Sequence, residues 1–150
     1  EQLKGRMNKQ VNYLDLHKFL IEIGNLGEAF VYDYEKEKLL NTEYEDKVDN
    51  TPALDPSNGY DIKSYNSYGE EIYIEVKTTT RCKDEFYISD HEFKTAKQYI
   101  SKNKKYYIYR VYNILAENKE DVEIRIIEDI TNKNNYLMKP FNYIVEFKMQ

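Results

Sequence analysis

The stretch that most constrains the fold is residues 71–79, where apolar and polar side chains alternate along the chain. Successive residues of a β-strand point to opposite faces, so this pattern predicts a strand with one apolar face. That face consists of Ile72, Ile74 and Val76. The opposite face carries Tyr73, Glu75 and Lys77, so an acid and a lysine point the same way, two residues apart.

A second strand precedes this one and supplies another acid. Residues 59–65 alternate in the same way, and the turn-rich residues 66–69 separate the two segments. Strands joined by so short a turn pair as an antiparallel hairpin. Because Asp61 stands at the start of the first strand, the hairpin predicts that Asp61 lies near Glu75 and Lys77.

Helical patterns fill the chain before this hairpin. Apolar residues at helical spacing predict two helices, at 11–22 and 27–41, with a break at the glycine-containing residues 23–27. In this interpretation Glu28 stands in the first turn of the second helix, where an acid favours the helix dipole. Turn-forming residues predict a loop over 43–58.

After the hairpin the pattern switches between extended and helical segments. Ser89 and Glu92 form a capping-box signal for a helix that ends near Lys102. Further strands are predicted at 85–88, 104–112, 122–127 and 143–149. No repeat or linker divides the sequence, so we expect residues 1–150 to form a single domain of mixed α and β structure.

The composition argues against three classes of protein: strongly basic nucleic-acid binders, disulfide-stabilised domains and membrane-spanning proteins. A net charge of −5 argues against binding nucleic acid by bulk charge, so any such contact must come from a local surface. Cys82 is the only cysteine, which excludes an internal disulfide and is typical of a reducing compartment. No apolar run is long enough to span a bilayer and no secretory leader is visible, so we expect a cytoplasmic protein without a membrane partner.

The predicted hairpin carries the groups needed to hydrolyse a phosphodiester. Mg²⁺ is commonly held by one or two carboxylates, with waters and phosphate oxygens completing its shell. Asp61 and Glu75 are the candidate carboxylates, and the Val76 carbonyl is a candidate third ligand. Lys77 could orient the attacking water or contact the phosphate. The competing interpretation is that Glu-x-Lys on a half-buried strand is an ordinary solvated surface.

Several sequence blocks resemble, in order and spacing, the NO VEIN carboxy-terminal domain family. The blocks are GEAFV at 27–31, GYDI at 59–62, YIEVKTT at 73–79, FYIS at 86–89 with Glu92, and YIYRVY at 107–112. Together they cover roughly residues 24 to 115. That family resembles a branch of the PD-(D/E)XK nuclease superfamily.

The resemblance implies a restriction-endonuclease-like α/β (α+β) fold, in which helices flank a mixed central sheet. It implies Asp61 as the motif aspartate, Glu75 as the second acid, Lys77 as the motif lysine and Glu28 as an acid on the helix. Mg²⁺ or Mn²⁺ is the implied cofactor. Tyr60 stands where many superfamily members have proline, at a position that varies within the superfamily.

The resemblance also implies partners. The expected activity is that of an endonuclease, with DNA as the substrate. Family members are often pieces of larger proteins with helicase or ATPase modules, many of them in defence against foreign DNA, such as restriction-modification and antiviral systems. The chain is therefore expected to be such a piece. Nucleases of this kind often pair to cut two strands, so a homodimer is a candidate assembly.

A stretch without acids favours a polyanionic partner. Residues 93–116 contain no Asp or Glu, and basic residues there alternate with tyrosines. Basic side chains contact phosphates and tyrosines stack on exposed bases. The candidate nucleic-acid-binding residues are Lys94, Lys97, Lys104 and Lys105, with Thr79 on the face of Glu75 and Lys77. The alternative is a solvated helix face followed by lysines that protect an aggregation-prone strand.

The sequence is compatible with three functions. The first is a metal-dependent nuclease acting on DNA. The second is a catalytically inactive module with a nuclease-like fold that binds nucleic acid or a partner protein. The third is a scaffold domain of a larger enzyme, which would neither bind nor cut DNA. Divalent-ion-dependent cleavage separates the first from the others, and DNA binding without cleavage identifies the second.

Overall fold

The computed structural model describes the backbone of residues 2–149 and the side chains of residues 12–149. It has two α-helices, four β-strands and four short 3₁₀ segments. The helices and strands are α1 (Gln2–Lys38), β1 (Ile62–Tyr65), β2 (Glu71–Thr78), α2 (Asp90–Ser101), β3 (Lys105–Tyr112) and β4 (Glu123–Ile127). The 3₁₀ segments are Glu45–Lys47, Thr51–Leu54, Pro56–Asn58 and Lys119–Asp121. The expected mixed α and β architecture is therefore confirmed.

The four strands form one mixed sheet in the order β1-β2-β3-β4. The hairpin prediction is correct, since β1 pairs antiparallel with β2 and places Ile62 opposite Ile74. Strand β2 then pairs in parallel with β3, with Val76 opposite Tyr109. Parallel neighbours need a crossover, and α2 provides it. Strand β4 returns antiparallel to β3 at the other edge of the sheet.

The alternation along β2 separates two layers of core. The apolar face of β2 packs in one cluster with Val31 of α1 and with Leu39, the residue after α1 ends. The opposite face packs toward α2, where Tyr73 and Ala96 belong to a second cluster. Both faces of β2 are buried, and Glu75 is only 6% exposed. The ordinary solvated-surface interpretation of the Glu-x-Lys pair is therefore wrong.

The predicted break between two helices is wrong, because α1 runs without interruption from Gln2 to Lys38. Gly27 is a packing glycine rather than a breaker, since a Cβ placed there would overlap the Thr78 side chain on β2. Nothing lies within 4 Å of a Cβ placed on Gly24. Glu28 consequently lies inside a long helix and not in a first turn, so the helix-dipole explanation for this acid fails.

The strand predicted at 85–88 is absent, and residues 82–89 have no regular secondary structure. The buried Arg110 of β3 holds this segment through backbone carbonyls. Its guanidinium donates to the Lys83 oxygen at 2.7 and 3.2 Å and to the Glu85 oxygen at 3.0 Å. The same group lies over the rings of Phe86 and Tyr112. The segment thus follows the sheet without joining its ladder and leads into the start of α2.

The closing strand predicted at 143–149 is also absent. Residues 136–149 have no regular secondary structure, and Ile144 and Phe147 are 92% and 103% exposed. High β-propensity describes how side chains fit a pleated, half-buried surface, and no described strand pairs with this segment. None of the helices described here is long and apolar enough to cross a membrane.

Candidate active site

Asp61 is fixed to β2 by two hydrogen bonds at the mouth of the hairpin. Its backbone N–H donates to the Ile74 oxygen at 2.8 Å, and its Oδ2 accepts from the Val76 N–H at 2.8 Å. Two residues earlier, Gly59 has a φ of +73° and lies so close to Thr95 of α2 that a side chain there would overlap it. The hairpin therefore brings Asp61 to the position predicted for it, beside the strand that carries Glu75.

The Val76 carbonyl faces the same edge of β2 as Asp61. In an antiparallel pair, a residue that bonds to its partner directs both its N–H and its carbonyl to the same side. The Val76 N–H points at Asp61, and so the Val76 carbonyl points that way too. The last antiparallel pair before it is Ile62 with Ile74. Val76 thus lies just beyond the paired part of the hairpin, where its carbonyl is available to a ligand.

Lys77 points into the layer between β2 and α2 and contacts two acids. Its Nζ lies 3.3 Å from Glu75 Oε1. It also donates to both carboxylate oxygens of Glu92, at 2.9 and 3.1 Å. Glu92 lies in the first turn of α2, whose capping box with Ser89 is confirmed. Glu75, Lys77 and Glu92 thus form one contiguous cluster.

Glu92 is the site residue that sequence reasoning missed. The capping-box signal identified it, but only as a helix-start residue. Its second contact depends on how α2 crosses β2, and spacing along the chain does not specify that crossing. A signal was nevertheless present, because Glu92 belongs to one of the blocks that carry the family resemblance.

The acids of the cluster perturb one another. Burial, the charge of Asp61 and a hydrogen bond with Glu92 raise the pKa of Glu75 to about 10. Burial opposes ionisation of Glu92, yet the bond from Glu75 and the charge of Lys77 lower its pKa to about 2. Burial also raises the pKa of Asp61, although the Val76 N–H and Lys77 limit the rise. The shifts therefore favour a proton on Glu75 and a negative charge on Glu92.

Glu28 of α1 belongs to the same electrostatic environment. Burial and the charge of Asp61 raise the pKa of Glu28 to about 7. Burial lowers the pKa of the Lys77 ammonium, but Glu75 and Glu92 outweigh burial and raise it. Lys77 is thus a fixed cation and not a base at neutral pH. One lysine does not balance the neighbouring acids, and an additional positive charge at this place would be stabilised.

The donor set fits a hard divalent cation that keeps part of its water shell. Among the described residues no group of three Asp, Glu, His or Cys side chains forms a ready metal cage. Mg²⁺ does not need one, because one or two carboxylates with waters and substrate oxygens suffice. Asp61 and Glu75 could supply the carboxylates and Val76 a carbonyl. The crowding of the buried Glu75 beside Asp61 and Glu92 favours this assignment, since a cation would offset the negative charge that raises the pKa of Glu75.

A cavity of about 260 Å³ opens in front of these acids. Asp61, Glu75 and Glu92 line one side of it, and Pro52 and Pro56 line the other. A larger cavity of about 330 Å³, near Arg125, contains none of the predicted site residues. Of these two cavities, the smaller is the candidate site, because it combines space with the perturbed acids.

The wall opposite the acids is fastened to α2. The Nε2 atom of His91 lies 2.9 Å from the Ser57 carbonyl oxygen. A carbonyl only accepts, so Nε2 carries the hydrogen and donates it. On the same segment, the Asn58 side chain donates to the Pro52 oxygen at 3.1 Å. The loop over 51–58 thus forms a defined rim of the cavity.

The predicted nucleic-acid-binding lysines lie on or near α2. Lys94 pairs with Asp90 on the exposed side of α2, and Lys97 lies over the Phe93 ring. Lys104 lies over the rings of Tyr73 and Tyr99, and Lys105 lies 3.7 Å from Glu70. Thr79 continues β2 by exchanging backbone bonds with Val111 and Ile114. None of the contacts described for these five residues is with Asp61, Glu75 or Glu92, so they do not form one continuous surface with the acid cluster.

The expectation that tyrosines of β3 stack on bases is wrong for three of them. Tyr106 and Tyr109 are each 1% exposed, and Tyr112 is 8% exposed. Their hydroxyls donate to the Gly59 carbonyl at 2.6 Å, to Glu35 at 2.8 Å and to Asp84 at 2.8 Å, respectively. These rings fill the core, and their hydroxyls satisfy buried acceptors.

The fold and the site define the chain as a mixed α and β domain with a buried acid–lysine cluster at the mouth of a hairpin. Residues 27–127 match the family described as Protein NO VEIN, C-terminal, and the chain belongs to that family. The match begins at Gly27, which packs on β2, and ends at the last residue of β4. No curated protein and no solved structure matches the chain.

Proposed function

We propose that this chain is a divalent-metal-dependent nuclease domain of the PD-(D/E)XK kind that hydrolyses phosphodiester bonds in DNA, in defence against foreign DNA. The observation that carries the proposal is the cluster of Asp61, Glu75 and Lys77, in which Glu75 is buried and the other two side chains are partly buried. Asp61, just before β1, and Glu75 of β2 line one cavity, and the Lys77 ammonium lies 3.3 Å from Glu75. A structural ion pair would need one acid for the lysine, whereas this cavity holds several.

Each residue of the cluster has a distinct role in this proposal. Asp61 and Glu75 hold Mg²⁺ or Mn²⁺ with the Val76 carbonyl, and Glu28 adds negative charge from α1. A divalent cation supplies charge stabilisation and a more acidic bound water. Lys77 offers an ammonium to the developing charge on the phosphate, because its neighbours keep it protonated. Lys94, Lys97, Lys104, Lys105 and Thr79 contact the DNA backbone.

A specific observation also favours the catalytically inactive alternative. The Lys77 ammonium already lies at ion-pair distance from the side chains of both Glu75 and Glu92. A cluster satisfied in this way could be retained for the stability of a module that only binds nucleic acid or a partner protein. The two functions differ in what a divalent cation does, because only the nuclease needs one to act.

The test is a cleavage assay with supercoiled plasmid DNA. We expect the wild-type protein to nick or linearise plasmid with Mg²⁺ or Mn²⁺ and to do neither in EDTA. Lys77→Ala should lower the rate by about 10²–10³-fold, the typical cost of one donor to transition-state charge. Lys119→Ala, on an exposed 3₁₀ segment away from the cavity, should cleave like the wild type. DNA binding without metal-dependent cleavage by folded protein would support the inactive module instead.

A further inference from the structure

Glu92 makes contacts in two directions at once. Both of its carboxylate oxygens lie on the Lys77 ammonium, at 2.9 and 3.1 Å. Its Oε1 also accepts from the Ser89 N–H at 2.9 Å, while its own N–H donates to the Ser89 hydroxyl at 3.1 Å. The side chain is 18% exposed and that of Lys77 is 19% exposed. The start of α2 therefore fixes the carboxylate that holds the lysine.

The two acids on Lys77 are not equivalent. Glu75 extends from the same strand as Lys77, and its carboxylate is one of the proposed cation ligands. A carboxylate whose charge is neutralised by a cation attracts a neighbouring ammonium much less. Glu92 has no role as a ligand in the proposed site and is held by Ser89. It is the partner that Lys77 would keep once Glu75 is engaged.

A lysine without such a partner would be poorly placed. Its side chain is a flexible stem with a point charge, and holding it in one rotamer costs up to about 2 kcal/mol of conformational entropy. A misplacement of about 1 Å at a reacting centre can cost about 10²-fold in rate. A carboxylate anchored to a helix start removes this freedom in advance of substrate binding.

We propose that Glu92 is the positioning residue for Lys77: it holds the ammonium toward the scissile phosphate while Glu75 serves the cation. This inference rests on the proposed nuclease function and adds to it a residue outside the acid–lysine motif. The geometry links the orientation of Lys77 to the capping box of α2. The cap is therefore part of the catalytic arrangement as well as a stabilising feature of the helix.

The chain allows the two roles of Glu92 to be separated. Glutamine also completes a capping box at this position, so Glu92→Gln keeps the helix start and removes the charge that holds Lys77. Asp90→Asn is the matched control, because it removes an acid from the same helix turn. Asp90 pairs only with the exposed Lys94, and the two side chains are 79% and 69% exposed.

The first measurement is plasmid cleavage with Mg²⁺ under conditions where all three proteins are folded. We expect Glu92→Gln to lower kcat by about 10-fold to 10²-fold, with KM for DNA within twofold of wild type. Asp90→Asn should stay within twofold of wild type in kcat. Helical content by circular dichroism should be the same in all three. Unchanged kcat in folded Glu92→Gln would overturn the inference.

The second measurement does not depend on activity. The ammonium protons of Lys77 can be followed by proton–nitrogen correlation NMR in the presence of Mg²⁺ and without DNA. A held ammonium exchanges slowly with water and is visible, whereas a free one is not. We expect the signal in wild type and Asp90→Asn and its loss in Glu92→Gln. If the Lys77 signal survives in Glu92→Gln, the positioning role is contradicted. If wild type shows the Lys77 signal but does not cut plasmid, the nuclease proposal is refuted and the positioning of Lys77 by Glu92 is not.

Discussion

Glu75→Gln is expected to abolish metal-dependent cleavage and, in EDTA, to make the protein more stable than wild type. The loss of activity should be at least about 10³-fold, because the amide cannot supply the charge that binds the cation, and the cation provides several kcal/mol of transition-state stabilisation. The gain in stability follows from burial. Glu75 is 6% exposed and lies beside Asp61 and Glu92, so a negative charge on Glu75 destabilises the folded protein.

The pH dependence of this effect has a definite sign. The folded-state pKa of Glu75 is raised from 4.5 to about 10. A group with a raised pKa contributes its full stability below the unfolded-state pKa, and that contribution is lost as pH rises toward the folded-state value. The free energy of unfolding of wild type should therefore drop below that of Glu75→Gln from about pH 5 upward. The difference should grow to several kcal/mol at pH 8, because each pH unit above the unfolded-state pKa adds about 1.4 kcal/mol, and it should approach zero at pH 4.

Urea unfolding in EDTA at pH 4 and pH 8 measures this difference, and the plasmid assay measures the loss of activity. Glu85→Gln is a suitable control, because Glu85 is exposed and its side chain only approaches the exposed Lys83, at 3.6 Å. It should leave both stability and cleavage unchanged. A Glu75→Gln protein that cuts plasmid at the wild-type rate, or that is less stable than wild type at pH 8, would refute the electrostatic description of the cluster.

Gly27→Ala should destabilise the protein by about 3 kcal/mol, near the upper end of the usual cost of overpacking a core. A Cβ at Gly27 would overlap Thr78 Oγ1 and come within 2.7 Å of Thr78 Cβ, where α1 packs on β2. Such a loss corresponds to a fall of about 10 °C in Tm for a chain of this size. Differential scanning calorimetry on folded, purified protein provides the measurement.

The same helix offers a control of opposite sign. Gly24→Ala places a methyl group where nothing lies within 4 Å, so it should stabilise the helix by about 0.5–1 kcal/mol. Thr78→Ala should by itself cost little, since the buried Thr78 Oγ1 has no hydrogen-bond partner. Combined with Gly27→Ala it should recover part of the loss. Equal effects of the two glycine substitutions would contradict the close packing of α1 on β2.

The hairpin and the helix start could be predicted because their signals are local. The alternation of residues 71–79 depends only on the period of a strand, and the short turn at 66–69 leaves little choice of pairing. Ser89 and Glu92 are three residues apart, which is enough to specify a capping box. These local signals are enough to predict that Asp61 lies beside β2.

The errors arose where a local pattern has two physical meanings. Glycine lowers the stability of an isolated helix, so it is often taken as a helix end. At Gly27 the close packing of α1 on Thr78 of β2 offsets this loss of helix propensity. Residues 85–88 and 143–149 have strand-like composition. The first segment is instead held by the Arg110 guanidinium, and the second lacks a partner strand among the described residues.

The contact between Glu92 and Lys77 was beyond prediction for a related reason. It depends on the angle and register at which α2 lies on the sheet, which packing across the whole domain determines. The perturbed pKa of Glu75 also depends on this packing, because burial is its largest cause. Sequence spacing could therefore name the chemical groups but not their charge states.

The most direct test of the account is calorimetric titration of Mn²⁺ or Mg²⁺ into wild type and Asp61→Asn, each in two buffers of different ionisation heat. Wild type should bind the cation and release protons, because the cation replaces protons that the raised pKa values of Glu75 and Glu28 favour. Asp61→Asn should bind at least about 10-fold more weakly, the low end of the loss seen on removing a group from a metal site. Equal binding by the two proteins, or no binding by folded wild type, would contradict a divalent cation at this cluster.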